Sequence, residues 1–267
     1  MIPLQFVLFW CGAKLSYLRY LTFKSLRHFH PDSKIELYVA EEYNANIHKW
    51  GSEKQDFEIK DENSKDYIDE LPKLGIVVNR VKCIGSPEYC AILQADLFRW
   101  IWMRDGKGGF YLDTDQIITK SFSGLNLDNE FIYSRYMEPQ CGDYLPVGVL
   151  GMEGGSKIAD IVLDTIAKCY SANNYNSSGP FAMREAIKKI NLARSFNTPS
   201  YYFYPVHSSM NVNKIYDGSF SLDDRSFALH WYGGHRLSQE FNSKYSEEFA
   251  KSSKDTISRF VRENKIN

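Results

Sequence analysis

Apolar residues follow two rhythms along this chain, and their order predicts an α/β protein. Leu4-Gln5-Phe6-Val7-Leu8-Phe9-Trp10 is a short, nearly continuous apolar run closed by Cys11-Gly12, the pattern of a strand buried on both faces. From residue 16 to residue 30 the spacing changes. Leu18, Leu21, Leu26 and Phe29 recur at helical intervals, and Pro31-Asp32 stops the helix. Ile35-Glu36-Leu37-Tyr38-Val39 then alternates as a second strand. Strand, helix, strand is how a mostly parallel sheet covered by helices begins.

Residues 56–70 carry seven acidic side chains against Lys60 and Lys65 and read as a solvated helix or loop. Ile76-Val77-Val78 resumes the sheet. Ser86 as cap and Pro87 at the first helical position predict a helix start, and the helix runs to Asp105 before Gly106 ends it. Gly108-Gly109 turns into the strand Phe110-Tyr111-Leu112, followed at once by Asp113-Thr114-Asp115. Residues 147–151 read as another buried strand. Ile158–Cys169 reads as a helix with Ile161, Val162, Thr165 and Ile166 inward, and Ser178-Gly179-Pro180 opens a helix through residue 190. Residues 227–231 form a late strand leading into Tyr232-Gly233-Gly234-His235. Phe241, Tyr245, Phe249, Ile257 and Phe260 predict one or two closing amphipathic helices over residues 238–267. With no repeat, low-complexity tract or linker, a single domain over residues 1–267 is expected.

Composition narrows the function classes. The 267 residues can bury a core without staples. A formal charge of -1 leaves no basic footprint for nucleic acid, which is not expected as a partner. Cys11, Cys83, Cys90, Cys141 and Cys169 are odd in number and contain no C-x-x-C pair. Neither a zinc site nor a disulfide framework is indicated, and a reducing compartment is expected. No apolar run reaches the roughly 18 residues of a spanning helix, and residues 2–10 lack a basic leader. The expected location is the cytoplasm or the inner face of a membrane.

The chemistry concentrates at Asp113 and Asp115. Two carboxylates two positions apart at a strand end present a compact set of oxygens, suited to Mn²⁺ or Mg²⁺ and through it to substrate phosphates. On its own the pattern is weak, and a polar turn explains it as well. Asp96 and Arg99, three apart on the preceding helix, share a face. Their plain reading is an ion pair. Their functional reading is a carboxylate for sugar hydroxyls beside a cation for phosphate or sugar oxygens. Helix and strand both deliver these groups to one sheet edge, where ligands of open α/β sheets bind.

Together, Ala95-Asp96-Leu97-Phe98-Arg99 and Gly108-Gly109-Phe110-Tyr111-Leu112-Asp113-Thr114-Asp115 resemble the sugar-binding region of DXD glycosyltransferases, family 32 above all, and more distantly the clostridial glucosylating toxins. Weaker likeness extends to Phe9-Trp10-Cys11-Gly12, to Ser178-Gly179-Pro180-Phe181, and to Tyr202-Phe203-Tyr204-Pro205 with Ala228-Leu229-His230-Trp231. The resemblance implies a GT-A fold, a mixed and mostly parallel sheet flanked by helices, and a retaining transfer from a UDP- or GDP-sugar. It implies that Asp115 binds the metal directly and that Asp113 touches the ribose and reaches the metal through water. Asp96 and Arg99 would hold the donor sugar, with Tyr111 in the same set, and Trp10 would stack on the base. Gly179 and Pro180 would lie on the acceptor side. Relatives carry Ser-Trp after the late histidine, where this chain has Tyr232-Gly233-Gly234-His235. His230 and His235 are therefore rival candidates for the last metal ligand or a diphosphate donor.

No nucleophile is evident, since nothing fixes Asp143 or Glu185 near the anomeric carbon. Same-face attack is the expectation, with the diphosphate as base. The expected acceptor is a saccharide or lipid-linked saccharide of a bacterial surface polysaccharide such as capsule or O-antigen. Lys244, Lys251, Lys254, Arg259, Arg262 and Lys265 leave peripheral membrane contact open, although Glu240, Glu247, Glu248, Asp255 and Glu263 nearly cancel them. Two rivals remain. One is a haloacid dehalogenase-like phosphohydrolase using Asp223-Asp224 as its later acidic pair, and the other a non-catalytic nucleotide-sugar-binding protein.

Overall fold

The computed structural model describes residues 1–12, 14–44, 65–138, 142–207 and 211–266. Strand β1 (Phe6–Cys11) is buried throughout, and helix α1 (Tyr17–Phe29) begins where the Ser16 hydroxyl accepts from the Arg19 N–H at 3.2 Å. Strands β2 (Ile35–Ala40) and β3 (Val77–Val81) continue the sheet in parallel on one side of β1. Helix α2 (Ala91–Asp105) leads to β4 (Gly108–Leu112), parallel to β1 on its other side. Next come β5 (Gln116–Ile118), β6 (Phe131–Ser134), the hairpin of β7 (Tyr136–Glu138) and β8 (Gly142–Tyr144), and β9 (Val149–Glu153). Helices α3 (Ile158–Cys169) and α4 (Pro180–Ile187) precede β10 (Ser195–Thr198) and α5 (Asn213–Asp217). Strand β11 (Ala228–His230) is followed by α6 (Arg236–Asn242), α7 (Glu247–Ser252) and α8 (Thr256–Glu263).

The main sheet has seven strands in the order β10-β6-β9-β4-β1-β2-β3, with β9 antiparallel to its neighbours and the other pairings parallel. Alternate residues of the same strands feed opposite faces. Phe6, Leu8, Phe110 and Leu112 pack with Leu18 and Leu21 of α1 and with Ile257 and Val261 of α8. Val7, Phe9, Tyr111 and Leu150 pack on the other face with Phe98, Val162 and Met183 of α2, α3 and α4. This alternation sends Tyr111 toward α2, which matters for the site. Outside the sheet, β5 and β11 pair antiparallel and set His230 opposite Gln116.

The structure departs from the sequence expectations at several places. Helix α2 does not begin at Ser86-Pro87. It starts at Ala91, capped by the Cys90 thiol accepting from the Leu93 N–H at 3.3 Å. Ser86-Pro87 instead opens a turn closed by Tyr89 N–H to Ser86 O at 3.0 Å, a position that favours Ser and Pro equally well. Gly108 and Gly109 do not precede β4 but form its first residues, at φ 82° and 123°. A Cβ on Gly109 would come 2.7 Å from the Gln5 carbonyl oxygen, so the close approach of these two segments requires glycine there. Helix α4 ends at Ile187, short of residue 190. The closing segment is three short helices, capped in turn by His235, Ser246 and Asp255, in place of one or two. Of the acidic stretch 56–70, only residues 65–70 are described; they enter a 3₁₀ turn at Ile68–Leu74.

His30, the C-cap of α1, is 3% exposed. Its Nε2 accepts from the Phe122 N–H at 3.2 Å, and its ring lies 4.4 Å from that of Phe6. Burial, helped by Arg27, pushes its pKa down from 6.5 to about 4. Between these values the unfolded chain binds the proton and the folded one does not. Stability from this group is therefore complete above pH 6.5 and declines as pH falls toward 4, by about 3 kcal/mol in all. His30→Gln, which keeps an acceptor for Phe122, is expected to flatten melting temperature against pH across that window. A slope identical to wild type would assign the acid loss to other groups.

Candidate active site

Strand β4 leaves the sheet at Asp113, whose N–H donates to Gly148 O at 2.8 Å just before β9. The chain then turns, and the hydroxyl and carbonyl of Thr114 are tied to α1. Its Oγ1 accepts from Arg19 Nη1 at 2.7 Å, and its carbonyl accepts from the Thr22 hydroxyl at 2.8 Å. Asp115 is clamped from the other side. Its carbonyl accepts from the Trp231 N–H at 3.0 Å, and its Oδ2 from the Gly233 N–H at 2.7 Å. Thus the acidic pair sits on a turn fixed by α1 and by the segment after β11.

The remaining oxygen, Asp115 Oδ1, is buried without a hydrogen-bond donor, and His230 Nε2 lies 3.3 Å away. Asp113, Asp115 and His230 each offer one ligand atom, all within 4.8 Å of one another. The Tyr232 N–H donates to His230 Nδ1 at 3.2 Å, which leaves Nε2 as the ring nitrogen turned toward Asp115. His235 is used differently: its Nδ1 accepts from the Leu237 N–H at 3.3 Å as the cap of α6, and it is not part of the three-residue group. Gly148 closes the group from β9's side, where a Cβ would stand 2.7 Å from Asp113 Oδ2 and 3.2 Å from His230 Nε2. Gly148→Ala is expected to push Asp113 and His230 apart and, were the group to hold Mn²⁺, to weaken that binding about tenfold or more. Titration of the manganese EPR signal would check this; unchanged affinity would mean the ligands tolerate the shift.

Behind Asp113 lies a buried ionic network. Arg99 and Asp96 are each 4% exposed at the side chain and pair at 2.9 Å through Nη2 and Oδ1. The plain reading holds, since the intrahelical pair forms, and Arg99 also reaches Asp113 Oδ1 at 3.5 Å. Arg99 donates to the Val147 carbonyl and lies over the Tyr111 ring at 4.5 Å. Burial opposes the Arg99 charge, but Tyr111, Asp113 and Asp96 more than offset it and push its pKa up. Burial pushes the Asp96 carboxyl up, while Arg99 and the Ser178 hydroxyl, donating to Oδ2 at 2.6 Å, pull it back. Burial also raises Tyr111, keeping its phenol protonated to donate to Asp113 Oδ1 at 2.7 Å.

The other sequence candidates fall as follows. Trp10, next to last in β1, lines the cavity, with the Arg19 guanidinium over its ring at 4.6 Å. Gly179 caps α4 directly against Asp96, where a Cβ would stand 3.1 Å from both carboxylate oxygens, and Pro180 follows at the same cavity. Asp143 is paired with Arg135 at 2.6 Å, and Glu185 with Lys188 at 2.7 Å. Asp223 and Asp224 line a separate groove, with Asp223 bound to Arg225, so they do not converge with Asp113 and Asp115. The candidate residues surround a cavity of about 200 Å³ lined by Trp10, Asp96, Arg99, Asp113, Asp115 and His230 among others. Arg19 and Gly148 also line it, and sequence patterning passed over both. For Arg19 a signal existed, a charged residue within the otherwise buried run Tyr17-Leu18-Arg19-Tyr20-Leu21 of α1.

No family model and no curated protein matches this chain in sequence. Solved structures match it in architecture. The glycosyltransferase GlyE of Streptococcus pneumoniae TIGR4 aligns with 98% of this chain at 16% identity and a TM-score of 0.50. This chain spans 64% of that protein's length. Two further similarities are lower: the PaToxG glycosyltransferase, at 14% identity over 70% of this chain and 69% of its own with TM-score 0.48, and the galactosyltransferase LgtC in complex with donor and acceptor sugar analogs, at 14% over 92% and 99% with TM-score 0.44. The fold is that of GT-A glycosyltransferases, a mixed and mostly parallel seven-stranded sheet flanked by helices.

Proposed function

We propose that this chain is a metal-dependent glycosyltransferase that takes a hexose from a nucleotide sugar, UDP-linked or GDP-linked, and passes it to a saccharide with retention of configuration. One observation carries the proposal. Three ligand atoms from Asp113, Asp115 and His230 lie within 4.8 Å of one another, on a cavity that Asp96 and Arg99 also line. The donor set fits a hard divalent cation. Two of its three groups are carboxylates, and Asp115 Oδ1 is buried without a donor of its own. Mn²⁺ or Mg²⁺ held by Asp113, Asp115 and His230 would offset the negative charge that grows on the diphosphate as the glycosidic bond breaks.

The chain's own residues supply the rest. Asp96, held in place by Arg99 and Ser178, would accept from sugar hydroxyls. Arg99, fixed by Asp96, Val147 and Tyr111, would donate to the departing phosphate without reorganising. Trp10, which lines the cavity, would receive the base. His230 would either donate from Nε2 to the diphosphate or ligate the metal through the same nitrogen, which costs the bond from Tyr232. Asp143 and Glu185 are engaged with cations elsewhere, which favours same-face attack, the diphosphate taking the acceptor's proton.

The finer identity belongs to the same proposal: a family 32-like enzyme acting on a saccharide or lipid-linked saccharide of a bacterial surface polysaccharide, in the cytoplasm or peripherally at the inner membrane face. Among the described residues no helix is long and apolar enough to cross a membrane. Calorimetry against UDP- and GDP-sugars with and without Mn²⁺, followed by nucleotide release without acceptor, tests the core of it. Mn²⁺-dependent binding with slow hydrolysis is expected. Indifference to every nucleotide sugar would overturn it.

A further inference from the structure

We infer that Arg19 binds the diphosphate of the nucleotide donor, an assignment that rests on the glycosyltransferase reading above. Arg19 is 9% exposed and belongs to α1, remote in sequence from the acidic motif. Its guanidinium lies between two indoles, 4.6 Å from the Trp10 ring and 5.1 Å from the Trp231 ring. The indoles take up part of its surroundings, and its N–H edge is what a ligand would meet. Among the described residues that edge makes a single hydrogen bond, Nη1 to Thr114 Oγ1 at 2.7 Å, and Asp115 and Asp113 act on its charge without forming an ion pair with it. A buried cation so placed is costly unless an anion compensates it.

The anion's position follows from the neighbours. Thr114 is the residue between Asp113 and Asp115, so the Arg19 edge lies beside the metal-binding turn and on the same cavity. Gly233 keeps the loop after β11 clear of it, since a Cβ there would stand 2.6 Å from Nη2. The indole N–H groups of Trp10 and Trp231 are also buried without acceptors, which makes the surroundings rich in donors. A flat, weakly hydrated cation beside this turn suits a phosphate oxyanion, and a diphosphate bridging this edge and a cation at Asp113–Asp115 would meet both. Arg99 would serve the sugar side of the same group.

The test compares wild type, Arg19→Met and Arg19→Lys, each with Mn²⁺. UDP and GDP are titrated by calorimetry, uridine and guanosine by NMR, and folding is monitored by thermal melting. Arg19→Met is expected to lose about 10–100-fold in affinity for the diphosphate that wild type prefers, as for a charge-assisted hydrogen bond. Its nucleoside affinity should stay within about twofold, and Arg19→Lys should recover part of the loss. An unchanged diphosphate affinity in Arg19→Met overturns the assignment. So does a parallel fall for nucleoside and diphosphate, which would make Arg19 only a pillar between the indoles. If Arg19→Met does not fold, Arg19→Lys decides on the same criterion, a loss confined to the diphosphate. Wild type that binds neither diphosphate would defeat the glycosyltransferase reading itself, a separate outcome.

Discussion

Asp115→Asn is expected to cut Mn²⁺-dependent turnover of a nucleotide-sugar donor by about 10²–10³-fold or more while the protein stays folded. The substitution is isosteric, and the amide oxygen can still accept from the Gly233 N–H that now holds Oδ2 at 2.7 Å. Trp231 N–H binds the Asp115 carbonyl, which the change leaves alone. What disappears is the buried, donor-free Oδ1, the strongest candidate for direct metal ligation. Losing one of two adjacent negative charges also relieves repulsion with Asp113, so melting temperature should hold or rise in metal-free buffer. Nucleotide release at saturating Mn²⁺ measures the effect. Wild-type turnover in this variant would remove Asp115 from the mechanism.

The second large effect concerns stability. Arg99→Met is expected to destabilise the fold by about 3–5 kcal/mol, because it leaves the Asp96 carboxylate buried with only the Ser178 hydroxyl beside it. For a chain of this size that is a fall of roughly 10 °C in melting temperature. The sign of its pH dependence is fixed. Burial already pushes the Asp96 carboxyl above its ordinary 3.8, and removing Arg99 pushes it further. A raised folded pKa means protonation favours the folded state, so the defect should shrink toward pH 4–5 and grow toward pH 8. Adding Asp96→Asn should recover most of the loss without restoring activity. Equal melting temperatures for wild type and Arg99→Met would show the pair to be dispensable for the fold.

Strong local periodicity made much of this structure legible in advance. Strand β1, helix α1 and strand β2 follow their apolar patterns to within about two residues, with Ser16 and Pro31 marking the ends of α1. The body of α2 and strand β4 were equally plain, so Asp96, Arg99, Asp113 and Asp115 could be placed on adjoining elements. Strands β5, β6, β7, β8 and β10 went unread because three or four residues are too few to establish an alternation. Register was invisible too. The pairing of β11 with β5 sets His230 against Asp115 and leaves His235 to cap α6, and no local pattern encodes a contact across so much chain. Gly179 shows the same limit. In sequence it is a helix start, and in three dimensions it lies against the Asp96 carboxylate.

The most direct measurement is anomalous diffraction from crystals soaked with Mn²⁺ and UDP or GDP. A manganese peak within bonding distance of Asp115, with His230 or Asp113 beside it and the nucleotide's diphosphate against it, is the expected result. Nucleotide bound elsewhere, or carboxylates turned apart with no peak between them, would contradict the central claim that this turn holds the donor through a cation.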